Sequence, residues 1–187
     1  MDIHLIRHPR TMAPRGTCYG ALDLEADPDQ LAADAARLAP AIPPMARFLS
    51  SPQRRAHALA EALAGEPVET DPRLVEMNFG AWEGRDWDSL PREEIDAWAA
   101  DVGGYTPPGG ESVEAMARRV LEYWQSIDIE DTTPLVIVSH GGPLRLIAAN
   151  VTGSTPAKSM AFEIQWGHRA LIWHNPERTV LAGWNLR

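Results

Sequence analysis

Two stretches of the chain are short apolar runs that end abruptly in charge. Ile3-His4-Leu5-Ile6 leads into Arg7-His8-Pro9, and Leu135-Val136-Ile137-Val138 leads into Ser139-His140-Gly141-Gly142. Runs of this length predict strands buried inside a sheet. Pro9 ends the first, because it cannot donate to a ladder. The second passes through two glycines into a helical pattern with apolar residues at Leu144, Ile147, Ala148 and Val151.

Between them, strand and helix patterns alternate. Residues 9–24 are irregular, punctuated by Pro9, Pro14, Gly16 and Gly20, and carry Arg10, Arg15, Cys18 and Tyr19. Leu31, Ala35, Leu38 and Ala39 predict a helix, stopped by Pro43-Pro44. Met45 to Leu49 reads as a strand ending in Ser50-Ser51-Pro52. Ala56, Leu59, Ala60 and Leu63 then fall at i, i+3, i+4 and i+7 of an amphipathic helix. Ser50 or Ser51 would cap it, with Pro52 at its first position. Trp87, Leu90, Ile95 and Trp98 predict a helical insert, and Tyr105 to Gly110 a Pro/Gly-rich loop. Val113, Met116, Val120, Trp124 and Ile127 mark a longer amphipathic helix. Residues 161–165, 170–174 and 180–184 read as strands closing the sheet, without catalytic content. The alternation predicts an α/β fold: a three-layer sandwich with a mainly parallel central sheet and helices on both faces. A single domain is expected over residues 1–187.

Charge and composition narrow the partners. A formal net charge of -9 argues against nucleic acid or an anionic membrane, so any anion site must be basic locally. The single Cys18 rules out an intramolecular disulfide and suits the cytoplasm. No apolar stretch is long enough to span a membrane, and the first strand reaches charge too soon for a leader to be expected.

In open α/β sheets, ligands lie beyond the carboxyl ends of strands. Arg7, His8 and His140 are delivered there. Arg54 and Arg55 fall in the first turn of the helix after Pro52, and a helix start with arginine suits an anion. Glu76 or Glu83, in a Gly/aromatic loop, would supply a proton. There is no Cys-rich cluster and no H-E-x-x-H spacing. Arginines beside two histidines repel a cation but match phosphate oxygens with their planar forks. Neutral imidazole is a competent nucleophile, and neighbouring arginines favour the neutral form. A carboxylic acid can then protonate a departing alkoxide. No Walker lysine or Gly-rich phosphate loop is present, which argues against nucleoside triphosphate chemistry.

Four blocks carry a family resemblance: Leu5-Ile6-Arg7-His8, Ser50-Ser51-Pro52-x-x-Arg55-Ala56, Leu74-x-Glu76-x-x-Phe79-Gly80-x-Trp82-Glu83-Gly84 and Val138-Ser139-His140-Gly141-Gly142. In this order they resemble the histidine phosphatase superfamily, the phosphoglycerate mutase-like proteins. The resemblance implies that His8 is phosphorylated, that Arg7, Arg55, His140 and Gly141 hold phosphate, and that Glu76 is the general acid and base. It selects Arg55 rather than Arg54. It also puts Arg10, Tyr19, Trp82 and Glu83 near the substrate, with Trp82 or Trp87 free to stack on an aromatic leaving group. No metal and no cofactor are implied. Pro9-Arg10-Thr11 departs from the family's Gly-Glu-Thr, and Pro14 stands where some members have Asn.

Further blocks, Gly16-x-Cys18-Tyr19-Gly20, Trp82-Glu83-Gly84-Arg85-x-Trp87 and Pro107-Pro108-Gly109-Gly110-Glu111-Ser112, resemble the α-ribazole phosphatase branch. The expected activity is hydrolysis of a small phosphomonoester, with α-ribazole 5'-phosphate of cobalamin biosynthesis as the finer expectation. A broad-specificity phosphatase and a phosphoglycerate mutase-type phosphotransferase are alternatives, though the short chain favours water as acceptor. A non-catalytic phospholigand-binding module is the alternative of another class.

Overall fold

The computed structural model describes residues 1–128 and 130–187. In chain order these form β1 (Asp2–Arg7), α1 (Pro28–Leu38), β2 (Arg47–Ser50), α2 (Arg54–Ala64), β3 (Glu69–Thr70), α3 (Arg92–Ala100), α4 (Val113–Gln125), β4 (Leu135–Ser139), α5 (Gly141–Val151), β5 (Arg169–His174) and β6 (Thr179–Leu186). Short 3-10 turns lie at residues 39–41, 72–74, 80–82, 87–89 and 156–161.

Side-chain alternation along β1 and β4 sorts residues between two cores. Ile3, Leu5, Leu135 and Ile137 face one way, packing with Met116, Val120 and Trp124 of α4 and Leu144 and Ile147 of α5. Ile6, Val136 and Val138 face the other way, packing with Leu38 of α1 and Ala56, Leu59 and Ala60 of α2. The central strands are therefore buried on both faces, which is why they read as apolar runs. The sheet order is β3-β2-β4-β1-β5-β6. The β3–β2, β2–β4 and β4–β1 pairs are parallel, while β1–β5 and β5–β6 are antiparallel. The result is a mixed sheet between two helical layers.

Several boundaries differ from the sequence reading. The first helix ends at Leu38 rather than at Pro43-Pro44, because Pro40 cannot donate to Ala36 and the chain tightens into the turn at 39–41. Met45 lies outside β2, at φ 64°. The second helix begins at Arg54, capped at Gln53 by backbone conformation and no side chain. Ser51 is still part of the ladder there, its N–H donating to the Val138 carbonyl at 2.9 Å. Residues 161–165 are not a strand: a 3-10 turn runs to Ala161, and the Ile164 carbonyl accepts from Arg7 Nη1 instead of a strand neighbour. Among the described residues no helix is long and apolar enough to cross a membrane.

Candidate active site

Strand register builds the centre of the site. β1 and β4 are adjacent and parallel with Arg7 opposite Ser139, so the next residue of each strand, His8 and His140, emerges side by side. Their ring centroids are 5.0 Å apart. β2 lies on the far side of β4 with Ser50 opposite Val138, which carries Ser51 to His140. Ser51 Oγ and His140 Nε2 are hydrogen-bonded at 2.8 Å. His8 Nδ1 is 2.6 Å from the Pro9 carbonyl. A carbonyl can only accept, so Nδ1 carries the proton and Nε2 keeps its lone pair. The departure at position 9 therefore leaves this contact intact, because proline lacks an N–H but not a carbonyl.

The two arginines are held by backbone carbonyls rather than by acids. Arg55 is fully buried, donating from Nη1 to Leu22 at 2.9 Å and from Nη2 to Gly20 at 2.7 Å. Its Nε is buried without a partner. Arg7 donates from Nη1 to Ile164 at 2.6 Å, and its Nε is likewise unpartnered. Buried N–H groups without a partner are what an incoming oxyanion can satisfy. Glu76 is the strongest opposite charge felt by both guanidiniums. Its carboxylate accepts from Met77 N–H at 2.9 Å and from Gly142 N–H, in the first turn of α5, at 3.2 Å. A Cβ on Gly142 would lie 2.2 Å from Glu76 Oε1, so glycine there is a condition of the carboxylate's position.

Burial, then Arg55 and Arg7, hold the His8 imidazole well below its ordinary range; burial, Arg55 and His8 do the same for His140. Burial also pulls Arg7 down to about 10, which leaves it charged at neutral pH. Both imidazoles are thus neutral in the folded protein. An unfolded histidine protonates near pH 6.5, so below that pH the unfolded chain binds more protons than the folded one. Stability should therefore fall as the pH drops below about 6.5, with a slope of up to about 1.4 kcal/mol per pH unit for each histidine. Urea midpoints at pH 7.5 and 5.5 test this. A drop is expected, shrinking in a His8→Asn, His140→Asn double variant; a drop of equal size in that variant would remove the two imidazoles as its cause.

The other sequence candidates separate. Arg54 faces outward, paired with Asp23 and Glu25, whereas Arg55 faces the histidines. Tyr19 lies under Arg55, its ring 5.4 Å from Cζ. Gly141 sits at the start of α5, with room for a Cβ only 3.4 Å from Arg7 Cζ. Trp82 is a correction: its ring is buried among Trp87, Trp98 and Tyr105, and its Nε1 donates to Glu94, so it cannot stack on a ligand. Glu83 is half-buried, and its carboxylate accepts from the N–H groups of Ala21, Leu22 and Phe79. It latches two loops together.

Sequence reasoning missed several supports. Gln53 accepts from Glu76 N–H and donates to the Gly20 carbonyl, joining the loops that carry the acid and the Arg55 contacts. Arg119, about two helical turns beyond the Glu111-Ser112 block, donates to the carbonyls of Arg73, Val75 and Glu76 and pairs with Glu111 at 2.6 Å. The segment around Trp166, between two of the stretches read as strands that close the sheet, clamps the catalytic strand: Gly167 N–H donates to the Arg7 carbonyl and Arg7 N–H to that of His168. Trp166 presents its ring 4.7 Å from Arg7 Cζ. No periodicity marks these residues, because each acts through contacts distant in sequence.

Beside this centre lies a cleft of about 600 Å³, lined by Arg10, Arg15, Tyr19, Trp87 and Trp166 among others. A larger one, about 780 Å³, opens between Met45 and Leu135 at the opposite, amino ends of β2 and β4. Strand polarity favours the smaller cleft as the ligand site. Among the described residues, no group of three or more His, Cys, Asp or Glu is placed to hold a metal ion.

The sequence model of the histidine phosphatase superfamily (branch 1) matches residues 3–187. An adenosylcobalamin/alpha-ribazole phosphatase of Salmonella typhimurium is 34% identical over 131 residues, covering 66% of this chain and 65% of that protein. The chain thus spans just under two thirds of that relative's length. The crystal structure of the alpha-ribazole phosphatase from Shigella flexneri superposes with a TM-score of 0.84 at 28% identity, over 99% of this chain and 96% of that one. A phosphoglycerate mutase from Thermus thermophilus superposes with a TM-score of 0.75 at 30% identity, over 100% of both chains.

Proposed function

Because the chain belongs to the histidine phosphatase superfamily (branch 1), we propose that it is a metal-independent phosphomonoester hydrolase working through a phosphohistidine on His8. The observation that carries this reading is the tautomer of His8: with Nδ1–H bound to the Pro9 carbonyl, Nε2 keeps a free lone pair on a ring 5.0 Å from that of His140 and near the charges of Arg55 and Arg7.

In this reading the transferred phosphoryl group binds Arg7, Arg55 and His140 at the start of α5, near Gly141. Nε2 attacks phosphorus as the bond to the leaving oxygen breaks, and the acid form of Glu76 gives that oxygen its proton. The guanidiniums stabilise charge spread over the equatorial oxygens. Water then attacks the phosphohistidine, Glu76 takes the water's proton, and inorganic phosphate leaves with His8 restored. Arginines on either side of the phosphate replace the charge a metal ion would otherwise supply.

The finer assignment is α-ribazole 5'-phosphate as substrate, supported by the names of the Salmonella and Shigella relatives and by the sequence blocks around Tyr19, Trp87 and Glu111. A cytoplasmic setting and one domain go with it, supported by the lone buried Cys18 and by the family match over residues 3–187. Phosphate release should be measured on a panel of phosphomonoesters that includes α-ribazole 5'-phosphate, with and without chelator. Turnover unchanged by chelator is expected. Loss that a divalent metal restores would overturn the metal-independent mechanism, and binding without release of phosphate from any ester would favour a phospholigand-binding module.

A further inference from the structure

The cleft beside the phosphate pocket carries more positive charge than one phosphoryl group needs. Arg10 and Arg15 both line it, both are exposed, and among the described residues neither forms an ion pair. The acid in the same lining, Asp27, turns its carboxylate to the N–H groups of Asp29 and Gln30, capping α1. Asp86, which abuts Gly16, is likewise spent on capping the turn at 87–89. Among the described residues no ion pair joins either carboxylate to Arg10 or Arg15, in a chain whose net charge is -9.

Trp166 brings two of the cations together. Its ring lies 4.7 Å from Cζ of Arg7, the phosphate-pocket arginine, and 5.4 Å from Cζ of Arg10. Arg10 is presented by a pinned backbone: its carbonyl accepts from Asp27 N–H at 2.8 Å, and Thr11 bridges to Ala26. Two guanidiniums gathered on one indole repel each other, and a bound anion relieves that repulsion.

We propose that Arg10 and Arg15, backed by Trp166, form a second anion subsite, so that the preferred substrate bears a carboxylate or a second phosphate on its leaving group. This rests on the phosphatase reading of the His8 centre and names the substrate class it selects, a class that competes with the finer α-ribazole 5'-phosphate assignment, because the alcohol released from that ester carries no second anion. The walls given by Tyr19, Trp87 and Trp166 suit a flat organic spacer between the two anions.

The test uses matched esters: 4-carboxyphenyl phosphate, its neutral twin 4-carbamoylphenyl phosphate, and 1,4-phenylene bisphosphate. The wild-type protein should favour the two doubly anionic esters over the neutral one by about tenfold in kcat/KM, expressed in KM. Arg10→Gln and Arg15→Gln should each lower that ratio about threefold, and Arg10→Lys should keep part of it. The ratio should also shrink as salt rises, since both arginines are exposed. The larger preference, carboxylate or bisphosphate, identifies the second anion. A wild-type ratio of one, or a ratio that neither substitution moves, would overturn the subsite. Dissociation constants for the same esters on His8→Ala read the subsite independently of turnover: a ratio retained there without phosphate release by the wild type would fault only the phosphatase reading.

Discussion

His8→Ala is expected to abolish turnover, lowering kcat/KM by at least ~10⁴-fold, as removal of a covalent nucleophile does elsewhere. No neighbour can replace it. His140 is the other imidazole in reach, but its Nε2 is engaged by Ser51 Oγ at 2.8 Å, and in the proposed mechanism its unpartnered Nδ1 is taken up by the phosphate. The hydroxyl of Ser51 is held in that same bond. His140→Ala and Arg55→Ala remove charge stabilisation rather than the attacking atom, and each should cost about 10²–10³-fold. The fold should survive the His8 substitution, because the variant removes a buried titratable group and so blunts the acid sensitivity described above. Labelled substrate should leave phosphate on the wild-type protein in a bond labile to acid and stable to alkali, as a P–N linkage is, and none on His8→Ala. Near-native turnover by the variant, or a label of the opposite stability, would take the nucleophile away from His8.

The parts of this site that were legible in the sequence are those where local pattern and chemistry coincide. Apolar runs ending in Arg7-His8 and Ser139-His140 give buried strands and their polarity, hence the end of the sheet where a ligand sits. That the two strands are neighbours in register is a property of pairing, which no single strand encodes; their shared ending in a histidine pointed only to a common site. The ordered family blocks chose Arg55 over Arg54. The reason is helical: successive residues point about 100° apart, so one arginine turns to Asp23 and Glu25 and the next turns inward. Trp82 was misread because an indole in a Gly-rich loop looks the same whether it lines a cleft or fills a cluster with Trp87, Trp98 and Tyr105. The bonds Glu83 makes to three backbone N–H groups were invisible for a similar reason, since they join loops distant in sequence. The mixed character of the sheet came from β5 and β6, whose short antiparallel return follows a non-strand segment that alternation alone suggested was a strand.

Glu76→Gln should slow substrates with poor alkoxide leaving groups by about 10²–10³-fold, and nitrophenyl phosphate far less in its first turnover. The substitution does two things at once, and the comparison separates them. It removes the transferable proton, which matters in proportion to how basic the leaving oxygen is. It also disturbs position: the carboxylate accepts from two N–H groups, of Met77 and Gly142, and an amide can present only one acceptor while its NH₂ meets a donor. Misplacement of the phosphate pocket would slow good and poor leaving groups alike, whereas loss of the acid slows only the poor ones. Gly142→Ala offers a route that keeps the acid: a Cβ 2.2 Å from Oε1 must push the carboxylate aside, so this variant should show the same leaving-group dependence in weaker form. The measurement is the burst of the first turnover, because later turnovers also depend on hydrolysis of the phosphohistidine, where Glu76 acts as base. Equal slowing of the alkyl and nitrophenyl bursts would remove Glu76 as the proton donor. Neither neighbouring acid is a ready substitute, since Glu83 is bound by three N–H groups and Glu111 is paired with Arg119, so that outcome would leave the leaving oxygen to be protonated by solvent.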